Sequence, residues 1–471
     1  MRLLVCLIAA VIAVNWFRAL PESLWLDECG TIFVAAGSWS DLIVRQQFFI
    51  GSLPHLAVSW LLLHGFGFSE VLLRLPSLLA MLAAGVLLFL YGRRHLGPAT
   101  AGYAIALFVV HGDIQAHAIE ARPYAFTVLF TIAAFYSLDR WMDERKVGFA
   151  VALGLAAGFL PANHLLASAV LPVLALTALS YRQTHPVSHY AALFLSFAVP
   201  ASLAIFSMRA FDDQGAVQLR GWVARPTLSP WLAIYTHRPI FLPSLAAAAI
   251  AFVVTRPWKW KRTRVALPFW VAATGLGVLL PFLVFVVSHV GPVSIFASRY
   301  LVAANLGVIF LYALAAHSLQ PPRARLAIAC ALPVLILGYA VVTGGIHRTF
   351  RFEDWRGALA SFQGRVTTIY MQTGFIEGRD ERWLRDPLRS RFLTAPATAY
   401  PPGVPVIPLP YGKPAIDTPY MQELLEKARG KSVGLLVFPG EKFQARFTRA
   451  GFKLEPVGRF GPLSTWIATA K

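Results

Sequence analysis

The sequence predicts a mainly α, polytopic membrane protein with about 11 transmembrane helices and a small C-terminal extracytoplasmic α/β or α+β domain. Three observations lead there. Of the 471 residues, 57% are hydrophobic, and the mean hydropathy is +0.60, too apolar for an ordinary soluble globule. Apolar stretches of near-spanning length recur down to about residue 342. Beyond that point the pattern changes to short extended runs punctuated by proline and glycine.

A spanning helix needs about 20 apolar residues. Such segments are read at 3–20, 72–91, 98–112, 122–138, 147–161, 165–180, 189–207, 233–254, 266–288, 301–318 and 326–342. The first lacks a small-x-small cleavage site and is followed by another apolar span, so it reads as a retained helix and not a signal peptide. The run 53–64, LPHLAVSWLLLH, is too short to cross comfortably and is expected at the interface or re-entrant. A second short interfacial helix is expected over 32–36. Trp25, Trp39 and Trp60 nearby suit a membrane boundary.

Charge orients these spans. The net charge of +19 would suggest nucleic acid in a soluble protein. The densest basic run here, Arg256 to Arg264, is wedged between two spans, where cytoplasmic anchors sit, and no recognition helix accompanies it. With the N-terminus cytoplasmic, Arg93, Arg94, Arg140, Arg145, Lys146, Arg182, Arg323 and Arg325 fall on the same side. The C-terminal segment is then outside. So are Asp27, Glu28, Glu120, Arg122, His164, Asp212, Asp213 and Arg299, although acidic residues took no part in the assignment. Cys6, Cys29 and Cys330 show neither metal spacing nor a disulfide framework.

Residues 345–471 form the expected second domain. Strands are read at Val366–Met371, Val404–Leu409, Val433–Phe438 and Lys453–Val457, a helix at Pro419–Ala428, and an ordered loop or linker over Pro396–Pro414. No repeat, GxGxxG fingerprint or P-loop is present.

Ionisable groups near hydrocarbon are expensive, so those that persist are functional candidates. In EARPY, Glu120 and Arg122 are two apart and would not face each other on a regular helix. Pro123 favours an extended residue before it and can begin a helix, so EAR is expected as an outer lip and Tyr124 as the start of the next span. Each candidate also has a plainer reading: a surface carboxylate or N-cap for Asp27, a solvated carboxylate for Glu28, and an ion pair or membrane-edge anchor for Glu120 and Arg122. Arg299 also reads as a snorkelling arginine, His55 and His164 as packing or capping histidines, and Asp212-Asp213 as a hydrated pair.

Four segments together resemble the bacterial GT-C superfamily of membrane glycosyltransferases, in the group related to protein mannosyltransferases and aminoarabinose transferases (glycosyltransferase family 39-like). They are SLWLDECGT at 23–31, GSLPHLAVSWLLLHGFGFSEVLLRLPSLLA at 51–80, HAIEARPYAF at 117–126 and FASRYLVAA at 296–304. Their order and spacing agree across most of residues 1–310. The resemblance implies a transmembrane glycosyltransferase domain over 1–344, with an interfacial first outer loop at 21–71. It implies transfer of a sugar from a polyprenyl-phosphate donor to an envelope glycan, lipid or protein acceptor. That transfer would occur at the outer, periplasmic face of the bacterial inner membrane, among membrane lipids and with no nucleic acid.

The resemblance also implies inversion, with Asp27 as base. Arg122 and Arg299 suit the donor phosphate, because a guanidinium matches phosphate geometry. Glu28, His55, Glu120, Tyr124, His164 and Tyr300 are candidates for donor or acceptor binding. A divalent metal stays open, with Asp27, Glu28, Asp212 and Asp213 as its carboxylate candidates. A lipid-linked glycan transporter or flippase and an envelope assembly scaffold are the competing classes. A transporter would more naturally hold its charges at mid-depth than at helix ends.

Overall fold

The computed structural model describes residues 2–48, 52–181, 223–236, 241, 245, 249, 265–292, 294–317, 322–342, 353–412, 418–438 and 443–470. The expected span 189–207, most of 233–254, the basic run 256–264, and Asp212 and Asp213 lie outside these residues. Two compact units are distinguished. One comprises Met1–Leu20, Gln46–His55 and Arg74–Arg348; the other comprises Pro21–Arg45, Leu56–Leu73 and Thr349–Lys471.

The first unit is helical. α1 (Arg2–Val11) continues through a π turn at Ile12–Trp16 and a 3-10 turn at Phe17–Ala19. α5 covers Glu70–Val110, where separate spans were expected at 72–91 and 98–112. A straight helix of its 41 residues would run about 60 Å, twice a hydrocarbon core of about 30 Å. The chain turns at Gly97 instead, with φ 76 and ψ 167. Only glycine adopts that geometry readily, and Pro98 suits the first turn of the segment that follows.

α6 (Gly112–Ala118) and α7 (Tyr124–Glu144) flank the EARPY lip. Arg145, in the left-handed region at φ 55, caps α7, and α8 (Val147–Asn163) then packs against it. The segment read as a span at 165–180 is a 3-10 turn, Leu165–Ala169, followed by α9 (Val170–Leu179). Among the described residues, five helices are long and apolar enough to cross a membrane: Arg2–Ala19, Glu70–Val110, Leu267–Val290, Ser298–His317 and Arg323–Val342. Two of them meet at glycine. A Cβ on Gly307 would stand 2.1 Å from the Gly277 nitrogen, the close backbone approach that small residues permit in membranes.

The second unit pairs early helices with a C-terminal sheet. α2 occupies Leu26–Ala35 and α3 Trp39–Arg45. The helix expected over 32–36 therefore begins six residues earlier, which places Asp27 in its first turn. α4, the short apolar helix after the first loop, spans Leu53–Phe66.

The sheet has five strands in the order β2-β1-β3-β5-β4. They are β1 (Thr368–Met371), β2 (Val406–Pro408), β3 (Ser432–Val437), β4 (Phe452–Phe460) and β5 (Leu463–Ala470). β1 pairs in parallel with β2 and β3, while β3–β5 and β5–β4 are antiparallel. β3 is the central strand, and its last five residues are all buried. The helix Pro419–Ala428 lies where expected, with Thr418 accepting from the Met421 amide as N-cap. The proline-rich stretch expected as loop holds a helical turn, Ala395–Ala399, as well as β2. Trp355, Phe362, Tyr370 and Phe443 anchor the core at under 2% exposure, each contributing about 1.5–3 kcal/mol by burial.

Candidate active site

In the first unit, the lip between α6 and α7 folds as a tight turn in which the Arg122 amide donates to the Glu120 carbonyl at 2.8 Å. Pro123 ends the turn and α7 starts at Tyr124, as the proline suggests. Asn163, buried at the end of α8, donates to the Pro123 carbonyl at 2.7 Å and to Thr127 Oγ1 at 3.1 Å. Ser77 Oγ donates to the Arg122 carbonyl at 3.4 Å. Arg74, from the arginine-leucine-proline start of α5, is fully buried and donates to the Leu20 carbonyl at 2.8 Å. Its role is to tie α5 to the end of α1.

On this lip the aromatic rings form a ladder. His117 packs against Tyr124 with centroids 4.6 Å apart, Tyr124 against His164 at 5.6 Å, and His164 against Tyr300 at 5.3 Å. A guanidinium stands near each tyrosine: Arg122 Cζ is 6.0 Å from the Tyr124 centroid and Arg299 Cζ is 5.4 Å from that of Tyr300. Both contacts fall within cation–π range. His117 Nδ1 and Glu120 Oε2 are 2.7 Å apart. His55 is buried and meets Phe126 edge-on at 5.9 Å.

Electrostatics tie the groups together. Burial, then the Arg122 charge, push His55 down to about 3, with Glu120 opposing. His164 is lowered by burial, then by Arg122 and Arg299. Both histidines are therefore neutral near pH 7 and present ring nitrogens beside fixed positive charge. Six expected residues of distant sequence origin are thus brought together: Glu120, Arg122, Tyr124, His164, Arg299 and Tyr300, with His55 close enough to sense two of them.

In the second unit, Asp27 is half-buried in the first turn of α2, where a carboxylate is favoured by the helix dipole. Its neighbour Glu28 is fully buried, and its Oε2 accepts from the Trp25 amide at 3.1 Å. The plainer reading of Glu28 as solvated does not hold, because this carboxylate caps the helix from within. The Glu377 carboxyl is raised mainly by burial and further by the Asp27 charge. Glu70 accepts from the Tyr400 hydroxyl at 3.2 Å and from Arg356 Nη1 at 3.0 Å.

No group of three His, Cys, Asp or Glu side chains able to hold a metal ion occurs among the described residues. No disulfide joins Cys6, Cys29 and Cys330. Sequence reasoning missed His117, Asn163, Glu377 and Tyr400. His117 had a signal, since it stands three residues before Glu120. Glu377 and Tyr400, in the C-terminal segment, had none.

Comparison with solved structures places this architecture. Crystal structures of ArnT from Cupriavidus metallidurans match over 98% of this chain and 97% of theirs. The form bound to undecaprenyl phosphate gives a TM-score of 0.58 at 13% identity, and the apo form 0.60 at 14%. No family model and no curated protein matches the chain. The chain shares the mainly α fold of these ArnT structures over nearly its whole length. The fold implied by the resemblance of the four sequence segments is borne out.

Proposed function

We propose that this protein is a glycosyltransferase that moves a sugar from a polyprenyl-phosphate donor to an envelope acceptor at the outer face of the bacterial inner membrane. The observation that carries the reading is the convergence of Arg122 and Arg299 on His164. Two guanidinium groups, one from the turn before α7 and one from the Ser298–Leu301 turn, backed by tyrosines and neutral histidines, form a receptor suited to a phosphodiester. Support also comes from the fold shared with ArnT, one structure of which holds undecaprenyl phosphate.

In this reading Arg122 and Arg299 bind the donor phosphate, and Tyr124, Tyr300, His55, His164 and Glu120 contact donor or acceptor. Residues 1–344 act as the transferase domain and 345–471 as its extracytoplasmic partner. Asp27 accepts the proton of the acceptor hydroxyl while that oxygen bonds to the anomeric carbon. The bond from the anomeric carbon to the phosphate oxygen breaks, and its electron pair leaves with the polyprenyl phosphate. Attack opposite the leaving group inverts the anomeric centre. The arginines stabilise the charge that grows on the leaving phosphate.

The test is purified full-length protein in nanodiscs with undecaprenyl-phosphate-linked sugars and a panel of envelope glycans, lipids and proteins. A new glycosidic bond, detected by mass spectrometry, together with release of undecaprenyl phosphate is expected. Movement of the sugar lipid between leaflets of proteoliposomes without bond formation would replace the reading with transport.

A further inference from the structure

Immediately before Asp27, three successive backbone amides are each held by a side chain. The Leu24 amide donates to the Tyr400 hydroxyl at 2.8 Å, Trp25 to Glu28 at 3.1 Å and Leu26 to Glu353 Oε2 at 2.9 Å. Two of these acceptors are 376 and 327 residues distant in sequence. Helix N-termini leave several amides without intrahelical partners, and short polar side chains next to the helix normally satisfy them. Here two of the three acceptors come from the C-terminal segment.

Glu353 is the centre of this arrangement. The same Oε2 that accepts from Leu26 also accepts from Trp355 Nε1 at 2.7 Å, and the Trp355 ring is fully buried. The carboxylate is therefore held by the domain core as well as by α2. Further links hold the same segment. The Arg356 amide donates to Ser23 Oγ at 3.2 Å and its Nη2 to the Pro21 carbonyl at 3.4 Å. A Cβ on Gly374 would come within 3.2 Å of Leu26 Cδ2, so the loop that follows β1 packs closely on the first turn of α2.

We propose that Glu353 is a positioning residue that sets the Asp27 carboxylate for proton abstraction by capping the N-terminus of α2 from the C-terminal domain. The proposal rests on the reading of Asp27 as base. Displacing a catalytic group by about 1 Å can cost roughly 100-fold in rate, so a two-point anchor beside the base acts on turnover more than on donor binding.

The experiment compares full-length wild type, Glu353→Gln, Glu353→Ala and Asp27→Asn in nanodiscs. Hydrogen–deuterium exchange is read over residues 21–35, with 432–437 and 463–470 as internal references. Transfer is read with undecaprenyl-phosphate-linked sugars. Glu353→Ala is expected to speed exchange over 24–27 at least tenfold while the reference strands stay unchanged. It should also lower kcat at least tenfold with donor KM within twofold. Glu353→Gln, which keeps an acceptor oxygen, should recover most of both.

If Glu353→Ala does not fold, Tyr400→Phe, which removes the Leu24 acceptor and the hydroxyl's bond to Glu70 but leaves Glu353 on Leu26, is expected to give the same pattern at smaller amplitude. Unchanged exchange over 24–27, or unchanged kcat while Asp27→Asn is inactive, overturns the positioning role. Full turnover by Asp27→Asn overturns the base assignment beneath it instead.

Discussion

Nδ1 of His117 lies 2.7 Å from a carboxylate oxygen of Glu120, and both side chains are buried. The pair closes one end of the ring ladder that runs through Tyr124 and His164 to Tyr300. A buried hydrogen bond to a carboxylate stabilises by about 1.5–3 kcal/mol, and removing one partner leaves the other desolvated. Glu120→Gln and His117→Gln should each lower the thermal midpoint in detergent. The double variant should lose less than the sum of the two. Additive losses would show that the two side chains act independently.

His55 supplies a pH dependence. Its folded-state value of about 3 lies below the ordinary histidine value of about 6.5. Between those limits the unfolded chain binds the extra proton, so stability is complete above about pH 6.5 and falls as the pH drops. The slope for one histidine is at most about 1.4 kcal/mol per pH unit, or about 2 kcal/mol on going from pH 7 to 5. His164 is displaced in the same direction by burial and two arginines. Thermal midpoints at pH 7, 6 and 5 should fall more steeply for wild type than for His55→Gln. Equal slopes would contradict the assignment.

The contact of Gly277 with Gly307 makes a prediction about packing alone. A Cβ on Gly307 meets backbone at 2.1 Å, and one on Gly277 meets the Gly307 carbonyl carbon at 2.9 Å. Backbone cannot swing aside as a side chain can, so the helices must separate. Overpacking of this kind typically costs about 1–3 kcal/mol. Gly307→Ala should lower the midpoint more than Gly338→Ala, whose added Cβ meets nothing within 4 Å.

Much of this fold was legible because local chemistry and tertiary context agree. Pro123 marked the start of α7, and the helix at Pro419–Ala428 announces itself through Thr418, a proline in the first turn and an apolar face on Tyr420, Met421, Leu424 and Leu425. β5 was missed although Thr465, Trp466, Ile467 and Thr469 are strand formers, because Leu463–Ala470, LSTWIATA, lacks a regular apolar–polar alternation; its pairing between β3 and β4 is set by tertiary context. The plainer alternative for Glu28, a solvated carboxylate, fails because burial and a cap on Trp25 appear only once α2 forms. The convergence of Arg122 and Arg299 was suggested by motif order. The Glu353 and Tyr400 anchors could not have been, since no local spacing links them to residues 24–26.

The two arginines make a direct prediction about donor binding. Hydrogen bonds to a charged phosphate contribute about 1.5–3 kcal/mol, equivalent to roughly 10–100-fold in affinity. Arg122→Ala and Arg299→Ala should each weaken undecaprenyl phosphate binding by that range in a scintillation proximity assay. Lysine at either position should recover only part, because an ammonium cannot grip two phosphate oxygens in the plane of a guanidinium. Unaltered binding in both alanine variants would remove the phosphate site from this lip.

The most direct measurement is single-turnover sugar transfer by Asp27→Asn beside wild type, with undecaprenyl phosphate affinity measured on the same preparations. Loss of the base should slow transfer by about 100-fold or more while affinity for the lipid phosphate stays within twofold. Transfer at the wild-type rate by Asp27→Asn would contradict the account at its centre.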